Sequence, residues 1–90
     1  MIIEVISREE FDRYHASRGS FPWVNERGWF RLGAVLGILI FDAVDENWSY
    51  VVLLPDGDGR YRGGDLSTKF ESSEEAIAAL HQSMRKQTNG

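Results

Sequence analysis

The chain predicts an α+β domain in two layers, in the order helix, four-stranded antiparallel meander, helix. Three observations carry that expectation. From Val35 to Leu54 runs VLGILIFDAVDENWSYVVLL, two apolar stretches rich in β-branched and aromatic residues, split by the polar break Asp45-Glu46-Asn47. This is the signature of a β-hairpin. Two Ser-x-x-Glu capping boxes, Ser7 to Glu10 and Ser72 to Glu75, bracket the hairpin, and each opens a helix. Pro55-Asp56-Gly57-Asp58-Gly59 is dense turn chemistry and starts a further strand.

In chain order, Ile2, Ile3 and Val5 form an extended lead-in that packs on the core. Ser7 caps the first helix, with Ile6 and Phe11 at the hydrophobic-staple positions. That helix runs to about Arg18, and Gly19 ends it. Residues Gly19 to Gly28 read as a loop, in which Pro22 fixes the backbone between Phe21 and Trp23. Trp29 to Leu32 is a short first strand with its turn at Gly33-Ala34. The second strand spans Val35 to about Ala43, the third Trp48 to Leu54, and the fourth about Arg60 to Lys69. The last helix follows Ser72, with Ile77, Leu80 and Met84 at helical spacing. Arg85 and Lys86 suit its negative end, and Thr88-Asn89-Gly90 fray. Strands two and three are apolar at odd and even positions alike. Both faces of the sheet centre are therefore covered, or one is exposed and adhesive. Two short helices suffice for one face.

Ninety residues make a single domain with one modest core. The composition, 42% hydrophobic and 27% charged, is that of an ordinary globular domain. There is no cysteine, hence neither a disulfide nor a thiolate metal site. The longest apolar run, Ala34 to Phe41, is far short of the roughly 20 residues a membrane span needs. The start, MIIEVISREEF, lacks the basic region of a signal peptide. A cytoplasmic protein is the expectation, with no membrane contact. Fourteen acids against ten bases leave a net charge of −4. The bases are scattered along the chain, which disfavours a phosphate-binding surface.

Motifs that could carry chemistry mostly reduce to structure. Asp56-Gly57-Asp58-Gly59 starts like a calcium loop, but its fifth, seventh and twelfth positions are Arg60, Arg62 and Ser67, which cannot complete one. It reads as a hairpin turn. Arg60-Tyr61-Arg62-Gly63-Gly64 reads as an edge strand protected by arginines, with glycines at a bulge. His15 and His81 lie beside apolar helix faces without partners at ligand spacing, and read as satisfied boundary histidines. Asp42 and Asp45 belong to a solvated turn. Neither Ser20 nor Ser67 sits in a nucleophile elbow. No catalytic, cofactor-binding or metal-ligating residue is expected. Tyr14, Phe21, Trp23, Trp29 and Phe30 crowd one helix-loop-strand region, and Trp48 and Tyr50 add to the strands. These rings fill the core, with Phe21 and Trp23 at the rim of an interface.

The order of elements resembles the double-stranded-RNA-binding domain, a likeness that implies RNA contacts from a basic N-terminus on the last helix. Here that place holds Ser72-Ser73-Glu74-Glu75, which is acidic. A second likeness covers about Trp29 to Met84, carried by Trp29, Val35-Leu36-Gly37, Asp42, Asp45 to Leu53 and Gly59 to Arg62. That pattern is similar to small bacterial proteins of phage or mobile-element type. The resemblance implies a short acidic domain that binds and inhibits another machine, anti-CRISPR proteins among them.

The expected function is therefore a non-catalytic protein-binding domain, an inhibitor or adaptor. Its interface combines Phe21, Trp23, Arg27 and the acidic tips Asp45-Glu46 and Asp56-Asp58. The partner is a protein, and a homodimer through an exposed edge strand or sheet face is a second option. The alternative is a nucleic-acid-binding module using the sheet aromatics with Arg60, Arg62 and Lys69. An enzyme would need a pocket joining His81, Asp65 and Tyr61.

Overall fold

A computed structural model describes residues 2–14, 24–57, 61–64 and 66–89. The order is β1 (Glu4–Ile6), α1 (Arg8–Tyr14), β2 (Val24–Leu32), β3 (Val35–Asp42), β4 (Asn47–Pro55), β5 (Tyr61–Gly63) and α2 (Ser73–Asn89). The strands form one antiparallel sheet in the order β1-β2-β3-β4-β5. The α+β class and the meander are those expected. The strand count rises from four to five, because the lead-in at Glu4–Ile6 pairs with Trp29–Arg31 as an edge strand.

Both serines cap as anticipated. Glu10 N donates to Ser7 Oγ at 3.1 Å and Glu75 N to Ser72 Oγ at 3.2 Å, which satisfies donors that the first helical turn leaves free. The second helix holds through Asn89 instead of fraying at Thr88, whose hydroxyl donates to the Arg85 carbonyl at 2.9 Å. Gly33, at φ 59° and followed by Ala34, is the glycine-first form of a two-residue hairpin turn.

Two corrections concern strand ends. Val24 to Gly28 is strand, not loop, because β3 is long enough to pair with it down to Asp42. The fourth expected strand shrinks to Tyr61–Gly63, and Phe70 alone makes a later bridge, to Trp48.

Alternation along the strands sorts the core into two faces. One face carries Phe30, Leu32, Val35, Leu39 and Val52 beneath Ala76, Leu80 and Met84 of α2. The other carries Ile6, Leu36, Ile38, Ile40 and Leu53, with Phe11 of α1. The helices thus divide between the faces, where the sequence suggested both on one. All of Val35 to Ile40 is buried, so β3, the central strand, has no uncovered face there.

Gly37 decides how closely α2 approaches. A Cβ there would stand 2.8 Å from Met84 Sδ and 2.9 Å from Leu80 Cδ1. The missing side chain lets the helix seat directly over β3.

Candidate functional site

Among the described residues, the end of the sheet formed by the β3–β4 turn gathers a dense set of exposed charged groups and half-buried aromatic rings. It begins with an irregularity in β2. Glu26 pairs with Ile40 and Gly28 with Leu39, so Arg27 is one residue extra, a β-bulge. The bulge leaves Arg27 exposed, with its guanidinium carbon 5.8 Å from the centroid of the Phe41 ring. Phe41 packs on its cross-strand partner Trp48, centroids 4.9 Å apart and planes tilted by 52°. Both rings are half-buried. Trp48 in turn is held by reciprocal backbone bonds with Phe70, of 2.8 and 2.7 Å.

The turn beside these rings is preorganised. Asp42 Oδ1 accepts from Val44 N at 2.9 Å and Asp45 N at 3.2 Å, while Lys69 Nζ lies 3.7 Å from its other oxygen. The two amide donors, then the Lys69 charge, hold the Asp42 carboxyl below its ordinary pKa. Glu46 closes the turn at φ 54°, a left-handed conformation. With the backbone tied down, Val44 projects at 77% exposure beside the exposed carboxylates of Asp45 and Glu46. Glu71, which follows the residue paired with Trp48, and Glu74 and Glu75 of the first α2 turn add exposed acids at this end.

Of the expected interface residues, Arg27, Asp45 and Glu46 come together here. Asp56 is exposed at the opposite end of β4, about 30 Å away along a nine-residue strand at roughly 3.4 Å per residue. Phe21, Trp23 and Asp58 lie outside the described residues, as do His15, Arg60 and Asp65. Phe41, Val44 and Lys69 belong to the site but are invisible as such in the sequence. Phe41 is one more apolar residue in an apolar run, and Lys69 meets Asp42 only through the fold.

The other anticipated groups are dispersed. Asp42 is a turn cap rather than a freely solvated acid. His81 Nε2 is buried without a hydrogen-bond partner among the described residues, and the ring meets Phe30 edge-on at 5.2 Å. Burial, then the nearby Arg85 charge, pushes its pKa down. His81 belongs to the α2 face and Tyr61 to the opposite one, so the two side chains do not converge. The sheet aromatics also divide, Trp29 to one face and Trp48 and Tyr50 to the other, and the Tyr50 ring stacks on Phe70 at 6.2 Å. They form no single platform for bases.

Among the described residues no group of three or more His, Cys, Asp or Glu side chains could hold a metal ion, and no helix is long and apolar enough to cross a membrane. No family model matches the chain, nor does any curated protein or solved structure.

Proposed function

We propose that the chain is a non-catalytic protein-binding domain, an inhibitor or adaptor, whose partner meets the Arg27 end of the sheet. The observation that carries this reading is the Arg27–Phe41–Trp48 stack beside the rigid turn that presents Val44, Asp45 and Glu46. Arginine and tryptophan are enriched among residues that dominate binding energy, and a half-buried ring pair is already ordered before contact. The turn contributes an apolar tip and two carboxylates at small entropic cost, because Asp42 has already fixed its backbone. Such a surface suits a basic groove on the partner. An inhibitor of the anti-CRISPR type, the class the sequence resembles in size and charge, would place these acids where its target holds phosphate.

Affinity capture from the native host tests the reading, using the wild-type chain, Arg27→Ala and the double variant Asp45→Lys/Glu46→Lys. A protein retained by the wild type and lost by both variants is the expected outcome. Capture of the same protein by all three, or of none by the wild type, removes this site.

A further inference from the structure

A second surface lies at the other side of α2. Because Gly37 draws the helix over β3, and because β5 ends after three residues, the α2-side face of β4 is left partly open. Two adjoining depressions result, about 630 and 240 Å³, sharing Tyr50 and Ser83. Together they make one groove. Tyr50, Val52 and Leu54 form its floor, Ala79, Ser83 and Gln87 one wall, and Gly64 and Ser67 the other. The floor runs about 14 Å at roughly 3.4 Å per strand residue, and the helical wall about 12 Å at 1.5 Å per residue. That length matches about four residues of extended chain.

Among the described residues two cations flank the groove. Lys86 lines its helical side. Arg62 pairs with Leu54 and so shares the α2 face. Both are exposed, and neither makes an ion pair among the described residues.

The groove does not accept an added strand, since the outer edge of β4 is already engaged. Phe70 takes both backbone groups of Trp48, Ser67 takes both of Tyr50, and Gly64 N donates to the Val52 carbonyl. What remains available is the apolar floor, the hydroxyl and amide groups of the walls, and the two cations.

We propose that this groove binds an extended acidic peptide segment of a partner protein, one apolar side chain resting on the Tyr50–Val52–Leu54 floor and flanking carboxylates meeting Lys86 and Arg62. The charge of the described groove residues selects acids, and the neutral donors and acceptors of Ser83, Gln87 and Ser67 suit peptide amides. Nucleic acid fits less well. Among the described residues only two cations face the groove, and the Tyr50 ring is already stacked on Phe70. The inference is independent of the Arg27 surface, since the two share no residue. If both hold, the chain is an adaptor with an acidic end and a basic groove.

The test is an NMR titration of the full isotope-labelled chain with the pentapeptide acetyl-Glu-Asp-Leu-Glu-Asp-amide. Saturable shifts at Tyr50, Val52, Leu54, Ser83 and Gln87 are expected. Two exposed ion pairs together account for about tenfold in affinity, so Lys86→Gln/Arg62→Gln should weaken binding by about that factor. The same peptide with lysines in place of its acids should leave those resonances unmoved. The proposal is overturned by an absence of groove shifts up to about 1 mM peptide. It is equally overturned by equal binding to the double variant or of the lysine peptide, or by oligothymidylate moving the same residues at lower concentration.

Discussion

The indole Nε1 of Trp29 donates to Glu26 Oε1 at 2.9 Å. Three residues apart in a regular strand, these side chains would point to opposite faces. The extra residue at Arg27 returns them to the same face, the one holding Ile38 and Ile40. One irregularity therefore does two things: it pairs a half-buried indole with a carboxylate on one face and sets a guanidinium over Phe41 on the other. Trp29→Phe removes the donor while keeping most of the ring. We expect a loss of about 1.5–3 kcal/mol, measured by urea unfolding, in the range for hydrogen bonds to charged groups.

Arg27 itself is exposed and makes a cation–π contact worth about 0.5–1 kcal/mol at such a site. Arg27→Ala should shift stability by no more than that while abolishing partner capture. A larger loss in thermal unfolding would show that the residue serves the fold rather than a partner.

Ser67 replaces a strand along β4. Its Oγ accepts from Tyr50 N at 2.9 Å, and its own N donates back to the Tyr50 carbonyl at 2.9 Å. Ser67→Ala leaves the Tyr50 amide without its acceptor, which should lower stability by about 1–3 kcal/mol and speed exchange of that amide with solvent. Ser67→Thr, which keeps the oxygen, should restore protection.

Gly37 is the contact on which α2 seats. Leu80 and Met84, whose atoms a new Cβ would meet, are both fully buried and have little room to yield. Gly37→Ala should destabilise by about 1–3 kcal/mol through overpacking. Gly37→Val should cost more and loosen the helix, seen as lost near-ultraviolet dichroism.

His81 makes the fold sensitive to mild acid. Its folded pKa is depressed, first by burial and then by Arg85. The unfolded chain therefore takes up the proton first as pH falls below about 6.5, and stability declines until the folded pKa is passed. Urea midpoints should fall between about pH 7 and about pH 5 in the wild type. His81→Gln should flatten that slope, and an unchanged slope would contradict the assignment. Asp42, also depressed, acts in a lower window: its contribution is present above the ordinary carboxylate pKa and is lost as pH drops below about 4.

Much of the fold was legible. Ser7 and Ser72 announced their helices because capping is local chemistry, complete within four residues. The β3–β4 hairpin was legible because two apolar, β-branched runs flank one polar break. Glu4–Ile6 was not, since three residues carry no period and their partners lie far along the chain, up to 27 positions away between Glu4 and Arg31. Val24 to Gly28 read as loop because Asn25, Glu26, Arg27 and Gly28 are polar or flexible; they are strand because β3 offers a partner.

The candidate site was half legible. Asp45 and Glu46 stood out as an acidic tip, and Arg27 as a nearby cation. That Asp56 sits at the far end of β4 follows only from the direction of that strand.

By itself the sequence determined the α+β class, both helix starts, the central hairpin and the low count of reactive groups, all of which rest on periodicity, capping and composition. The tertiary structure alone decided the division of the helices between two faces, the placement of Arg27 over Phe41, and the groove over β4. Each depends on register between distant segments, and in a sheet one extra residue or one absent Cβ changes which side chains meet.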